Sequence, residues 1–305
     1  MSVVFHINNQ KKGAGQAPVL TVAECLDLVE GLIQFGFDET DEDFALEEFY
    51  ASPLSRFECL VVGIDGQSGR GFEIGYEEEE KAYNVRVNTP AAAADWRLAI
   101  TFMQALARKL GSPIIKEDGV SFTAENITAF DYEHDITYGI EVFCKQALES
   151  GSSIIFGVFR PVYIDRNLAQ ELLNSSDRLT RFEELVHRTQ YTDAYSANQQ
   201  FYINREDDSI IGNYTLTQEL PTILPYQPYV EYDNQEMLGE REVSQWLLTL
   251  VCYEDEDDPE SYYALGEMDY DSFIQKLDPE KYSFLDGGYI VVSGLSKEEM
   301  AGFLE

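Results

Sequence analysis

The stretch from Thr89 to Gly111, TPAAAADWRLAITFMQALARKLG, predicts one long helix on which the fold is organised. Thr89 is a residue type that caps helices, and Pro90 fits the first turn. Gly111 is of the type that ends them. Apolar residues recur between them at helical spacing: they are Trp96, Ala99, Ile100, Met103, Leu106, Ala107 and Leu110. This pattern favours a core helix that lies across a sheet.

Segments on both sides of this helix alternate between apolar and polar residues, as at 2–8 and 83–87, which is typical of β-strands. Two capping boxes, Thr21 with Glu24 and Ser296 with Glu299, predict where two further helices begin. Several helix-like segments lie in the middle of the chain. We therefore predict an α+β fold of two mostly antiparallel sheets, each with helices packed on one face, and a helical middle segment.

The two ends of the chain resemble each other. Phe5-His6-Ile7-Asn8 corresponds to Phe201-Tyr202-Ile203-Asn204, and LVVGID from Leu60 corresponds to LVCYED from Leu250. The strand-like segments 83–87 and 289–293 also correspond, because each leads to a predicted helix. The preserved order favours an internal duplication, although β-rich segments also resemble each other by chance. This interpretation predicts an N-terminal α+β unit at 1–122, a helical middle segment at 123–195 and a C-terminal α+β unit at 196–305.

The composition is strongly acidic. The 305 residues include 56 acidic and 21 basic side chains, for a net charge of −35, and 44% of the residues are hydrophobic. The hydrophobic fraction excludes a disordered chain. The charge repels nucleic-acid phosphates and anionic membranes, so neither is an expected partner, whereas a basic protein is. A charge of this size also fits a role in solubility alone, or mimicry of nucleic acid.

The cysteines and the N-terminus predict a cytoplasmic location. Cys25, Cys59, Cys144 and Cys252 lie far apart in apolar surroundings, which favours buried free thiols in a reducing compartment. The N-terminal residues show no basic start followed by an apolar run, so no signal peptide is predicted. No apolar run approaches the roughly 18 residues that span a membrane.

Two of the three histidines have a carboxylate three residues earlier. Asp131 precedes His134, and Glu184 precedes His187. Paired motifs of this kind supply the ligands of carboxylate-bridged dimetal sites, so these four residues are the candidate metal ligands. The apolar stripe of each predicted helix lies on another face, however, and this favours solvated histidines.

The sequence also contains partial matches to a dinucleotide-binding loop, a nucleophile elbow and calcium loops, and each lacks a residue or a spacing that the motif requires. The glycines of 13–18 do not complete a dinucleotide-binding loop, because Pro18 stands at the third glycine position. Arg70 interrupts a nucleophile elbow at 66–71, which favours a hairpin turn. The acidic runs 38–43 and 254–258 lack the spacing of a calcium loop. No cofactor and no catalytic residue is therefore predicted.

Tyrosines near prolines and acids can form a protein interface; the alternative is the rim of a core. They are Tyr226, Tyr229, Tyr232, Tyr262 and Tyr263.

Three stretches resemble a bacterial domain-of-unknown-function family of similar length: VNTPAAAADWRLAITFMQALARKLG, FTAENITAFDYEHDITYGIE and YIVVSGLSKEEMAGFL. The resemblance implies a cytosolic bacterial protein and carries over neither an activity nor catalytic residues. The charge, the tyrosines and the lack of a convergent catalytic set favour a non-enzymatic protein-binding module that neutralises or regulates a basic partner. The alternative is a metal-dependent hydrolase that uses the two carboxylate–histidine pairs.

Overall fold

The computed structural model describes residues 1–12, 15–37, 44–205, 207–239 and 241–305. These residues form two compact units, Met1–Tyr191 and Thr192–Glu305. The fold is α+β with mostly antiparallel sheets, as predicted. The acidic run at 38–43 and part of the glycine motif at 13–18 lie outside the described residues.

The first unit is built on a seven-stranded sheet, all of whose neighbouring strands pair antiparallel. The strands of this unit are β1 (Ser2–Asn8), β2 (Lys11–Lys12), β3 (Gly15–Gln16), β4 (Ile33–Gln34), β5 (Leu60–Gly63), β6 (Phe72–Glu77), β7 (Ala82–Asn88), β8 (Ile114–Lys116), β9 (Ser121–Phe122), β10 (Ser152–Phe156) and β11 (Pro161–Asp165). The strand order in the sheet is β4-β5-β6-β7-β1-β8-β9, and β2 with β3 and β10 with β11 form two separate hairpins.

Six helices are described in this unit: α1 (Val22–Leu26), α2 (Leu46–Ala51), α3 (Ala93–Leu110), α4 (Tyr132–Ser150), α5 (Arg166–Asn174) and α6 (Arg178–Tyr191). The predicted middle segment, up to Tyr191, belongs to the same unit and does not pack separately. The side chains of Ile140 and Val186 lie in one core with Phe5. The boundary predicted at 122 therefore does not separate two packing units, because apolar faces from both sides of it fill a common core.

Helix α3 is the predicted core helix, and its start differs from the prediction. The helix begins at Ala93, and Thr89 does not cap it. The Thr89 hydroxyl instead donates to the Asp135 carboxylate at 3.0 Å. Gly111 ends the helix with a left-handed φ of 61°. The Trp96 ring is fully buried and meets the Phe5 ring edge-on at 6.5 Å.

The second unit contains two four-stranded sheets. The elements are β12 (Tyr195–Ser196), β13 (Gln200–Ile203), β14 (Ile210–Thr217), β15 (Thr222–Pro225), α7 (Tyr232–Leu238), β16 (Val243–Cys252), β17 (Tyr263–Asp269), α8 (Tyr270–Lys276), β18 (Tyr282–Phe284), β19 (Tyr289–Val292) and α9 (Lys297–Phe303). The strand orders are β12-β15-β19-β18 and β13-β14-β16-β17. Most neighbours pair antiparallel, but β14 with β16 and β12 with β15 pair parallel.

The strand pairings differ between the segments that the predicted internal duplication relates. In the first unit, β1 pairs directly with β7. Their proposed counterparts, β13 and β19, belong to different sheets of the second unit. Similarity of this kind also arises from the small set of residue types that strands favour.

Three other predictions concern the capping boxes, the cysteines and membrane-spanning helices. Both capping boxes are present, at Thr21 and at Ser296. The four cysteines are free, but Cys59 is exposed and not buried as predicted. Among the described residues, no helix is both long and apolar enough to cross a membrane.

Candidate functional site

The connection between β5 and β6, residues 64–71, lies at the centre of the site. The Ser68 hydroxyl oxygen accepts a hydrogen bond from the Ile64 amide at 3.0 Å, which closes the turn on itself. Gly71 has a φ of +61°, and a Cβ at this position would collide with the Val62 carbonyl. Glycine is therefore required there. The two strands pair antiparallel, so the predicted hairpin turn is confirmed.

The partly buried side chain of Arg70 ties this turn to two other segments. Its Nε donates to the Phe156 carbonyl at 2.7 Å. Its Nη1 donates to the carbonyls of Asn88 at 3.3 Å and Pro90 at 2.5 Å. Burial lowers the pKa of the guanidinium to about 10, whereas the negative charges of Asp95 and Glu73 act to raise it. The group therefore stays protonated at neutral pH. One side chain thus fixes the turn to the end of β10 and to the start of the α3 region.

Asp95, in the first helical turn of α3, also contacts the connection at 64–71. Its Oδ2 accepts from the Arg70 amide at 2.9 Å, and the residue is fully buried. Burial raises the pKa of its carboxyl to about 6, although hydrogen bonds to the carboxylate oppose the shift. Its Oδ1 has no hydrogen-bond partner. A buried charge on a core helix is costly, and Asp95 was not singled out from the sequence.

The loop between β10 and β11 carries two exposed phenylalanines; we call residues 156–160 the phenylalanine tip. Phe156 is 60% exposed and Phe159 is 55% exposed. The Phe159 ring meets the rings of Phe35 at 5.3 Å and Tyr191 at 5.6 Å, both edge-on. Large exposed aromatic side chains on one loop are typical of binding surfaces.

Buried polar groups hold the phenylalanine tip in place. Gln190 is 3% exposed, and its Oε1 accepts from the amides of Phe159 at 2.9 Å and Arg160 at 3.0 Å. The Val158 amide donates to the Gly69 carbonyl at 3.1 Å. The tip is therefore fixed to α6 and to the turn at 64–71.

A cavity of about 260 Å³ opens beside this turn, and we call it the acidic cavity. It is lined by Gln67, Gly69, Ala92, Glu183, Glu184 and His187. Gly69 joins it to the phenylalanine tip, because its carbonyl accepts the Val158 hydrogen bond. Gln67 also borders a second hollow, of about 250 Å³, along α3.

The two glutamates of the acidic cavity differ in their partners. Glu183 Oε1 accepts from the Ala94 amide at 3.1 Å and lies 3.7 Å from Arg97 Nη2. Glu184 is exposed and has no hydrogen bond or ion pair with any residue that the structure describes. His187 Nε2 lies 3.0 Å from the Gly66 carbonyl oxygen, which can only accept, so Nε2 carries the hydrogen. Glu184 is therefore the carboxylate that remains available to a ligand.

The four candidate metal ligands are divided between two places. Asp131 Oδ1 caps α4 by accepting from the His134 amide at 3.1 Å, and His134 is exposed. Glu184 and His187 line the acidic cavity. Within the described ranges, no group of three or more His, Cys, Asp or Glu side chains is placed to hold a metal ion. The structure thus does not bring the two pairs into one ligand set.

The family model described as a domain of unknown function, DUF4299, matches residues 2–302. The chain belongs to the DUF4299 family. This agrees with the resemblance in the sequence and assigns no activity. No curated protein and no solved structure matches the chain.

The tyrosines singled out in this DUF4299 chain have mixed roles. Tyr226 and Tyr263 pack against the core of the second unit, and Tyr232 is 72% exposed. The exposed aromatic pair beside the acidic cavity, Phe156 and Phe159, was missed. Its signal is present in the sequence, since apolar residues run on from the strand at 152–156 into a loop with glycine and arginine.

Proposed function

We propose that this DUF4299 protein is a non-enzymatic binding module for a basic protein, with the phenylalanine tip and the acidic cavity as its contact surface. The observation that carries the proposal is the pair of exposed phenylalanines, Phe156 and Phe159, beside a cavity with an unpaired carboxylate. Aromatic anchors next to charged groups are typical of the few residues that dominate binding energy.

The fixed conformation of the tip supports this function. The hydrogen bonds of Gln190 and Arg70 order the tip before any partner arrives. A surface that is already ordered loses less conformational entropy on binding, so more of the contact energy appears as affinity.

The charge supports a basic partner. A net charge of −35 attracts basic proteins and accelerates their encounter at low salt. The same charge disfavours nucleic acid and anionic membranes as partners. The proposal includes a location in the bacterial cytoplasm, which the four free cysteines support, because free thiols persist in reducing compartments.

The test uses the full chain and a synthetic peptide that combines arginine and leucine. We expect Phe156→Ser with Phe159→Ser to weaken peptide binding about tenfold or more, as loss of aromatic anchors does. Phe284→Ser, at a phenylalanine that is 52% exposed in the second unit, is the matched control and should leave the affinity unchanged.

Isothermal titration at several salt concentrations measures both effects. Binding should weaken as salt rises, because charge attraction is screened. An affinity that the two tip substitutions leave intact, or a dissociation constant independent of salt, would reject the proposal.

A metal-dependent hydrolase is the second candidate, favoured by one observation: Glu184 and His187 border the same cavity. Catalytic zinc usually has about three protein ligands, so a further ligand would have to come from elsewhere. The protein is incubated with zinc, manganese or iron(II), gel-filtered and analysed for metal. Retention of one equivalent that Glu184→Gln abolishes supports the hydrolase, whereas retention below about a tenth of an equivalent excludes it.

A further inference from the structure

The acidic cavity offers hydrogen-bond acceptors on several sides. Glu183 and Glu184 provide carboxylates, and the Gln67 side chain provides an amide oxygen. The Glu183 carboxylate is already shared between the Ala94 amide and Arg97. Glu184 has no such partner among the described residues. The lining therefore suits a ligand that is positively charged and rich in donors.

A third carboxylate lies behind the wall of the cavity. A Cβ on Gly69 would stand 3.8 Å from Asp95 Oδ2 and would collide with Val186. Glycine thus allows the wall to come close to the buried carboxyl group of Asp95. The Asp95 carboxyl group is fully buried and its Oδ1 has no hydrogen-bond partner, so its charge adds to the negative potential at the wall.

The size of the cavity limits what can enter. Its volume of about 260 Å³ lies below the roughly 300–1,000 Å³ of pockets that hold cofactors or drug-sized ligands. It is sufficient for the end of one side chain. The small residues Gly69 and Ala92 leave room for the flat head group of an arginine.

We propose that the acidic cavity binds the cationic end of a single arginine or lysine side chain from the basic partner, with Glu184 as the main contact. This inference rests on the proposed function for the source of that side chain. Arginine fits better than lysine, because its planar guanidinium pairs with a carboxylate through two hydrogen bonds. The exposed ring of His187, which packs on Tyr191 at 4.8 Å, offers a flat neighbour for it.

The probe is N-acetyl-arginine amide, titrated into isotopically labelled full-length protein and followed by NMR. We expect shifts of the backbone amides of Gly69, Ala92 and His187, which line the cavity. N-acetyl-citrulline amide has nearly the same shape without the charge and should cause none. Glu184→Gln should weaken binding of the arginine probe about threefold to tenfold, the range for a charge-assisted contact.

The matched control is Glu171→Gln. Glu171 is an exposed glutamate on α5 without a partner among the described residues, and its replacement should leave probe binding unchanged. Equal shifts with the citrulline probe, shifts confined to another surface, or unchanged affinity in Glu184→Gln would overturn the proposal.

The result separates this inference from the proposed function. If the arginine–leucine peptide binds through the phenylalanine tip while the arginine probe leaves the cavity unshifted, the cavity proposal alone is overturned. If the probe binds in the cavity and the peptide does not bind, the cavity proposal is supported and the protein-binding function fails.

Discussion

The two units bury polar groups in different ways. In the first unit, the arginine–aspartate network joins two charged side chains, the partly buried Arg70 and the buried Asp95, to the backbone. In the second unit, the tyrosine network joins two hydroxyl groups and one half-buried carboxylate. There, the Tyr289 hydroxyl lies 2.7 Å from the Tyr229 hydroxyl and donates to Glu231 Oε1 at 3.0 Å.

The difference between the two networks predicts which unit is more sensitive to mutation and to pH. Removing one partner of a buried charge leaves the other uncompensated, which costs far more than losing a hydrogen bond between hydroxyls. We therefore expect the first unit to respond strongly to mutation and to pH, and the second unit weakly.

The largest effect is expected from Arg70→Met. The substitution leaves three backbone carbonyls without their donor and removes the positive charge near Asp95. We expect the free energy of unfolding of the first unit to fall by about 3–5 kcal/mol. In a Trp246→Phe background, Trp96 is the single tryptophan, so its fluorescence in a urea titration reports this unit.

The control is Arg56→Met. Arg56 is exposed and pairs with Glu48 at 2.7 Å, and surface ion pairs contribute at most about 1 kcal/mol. If Arg70→Met and Arg56→Met lowered the free energy of unfolding equally, the expected difference between the partly buried and the exposed arginine would be contradicted.

A smaller effect, visible as pH dependence, is expected from Asp95. Its pKa in the folded protein is about 6, raised from 3.8 by burial. The unfolded chain thus gives up this proton at lower pH, and the folded state loses stability as pH rises through about 6. The difference amounts to about 3 kcal/mol between pH 3 and pH 8.

Asp95→Asn should remove this pH dependence. Urea titrations of both proteins across that pH range, in the Trp246→Phe background, measure it. If the stability difference between the two proteins is the same at every pH, Asp95 does not titrate as a buried carboxyl.

The smallest effect is expected in the tyrosine network. Tyr289→Phe removes one hydroxyl and should lower the stability of the second unit by about 1–1.5 kcal/mol. Faster hydrogen exchange of the β15 and β19 amides would show the loss. Tyr195→Phe, at a tyrosine that is 49% exposed, is the control. If Tyr289→Phe lowered the free energy of unfolding as much as Arg70→Met, the expected difference between the two networks would be contradicted.

The local structure was largely predictable. The apolar stripe of α3, the end of this helix at Gly111 and both capping boxes depend on residues within a few positions of each other. The start of α3 was misplaced, because Thr89 finds its partner in Asp135 on another helix. A helix cap can be predicted from sequence only when no residue distant in the chain forms a hydrogen bond with the capping side chain.

The candidate site was predictable only in part. Glu184 and His187 were identified because a carboxylate precedes each histidine at a fixed spacing, and both line the acidic cavity. Asp131 and His134 share that spacing and lie at the start of α4. Spacing places two side chains near each other on one helix, but it does not say which helix faces a cavity.

The sequence by itself determined the α+β class, the core helix, the helix caps and the acidic charge, because each follows from local patterns or from composition. Only the tertiary structure decided the strand orders, the division at Tyr191, the hydrogen bond of the Arg70 amide to the buried Asp95 carboxylate and the acidic cavity beside the phenylalanine tip. These features depend on contacts such as that of Arg70 with Phe156. Residues so distant in the chain meet only when the whole unit packs, so no local pattern encodes their contact.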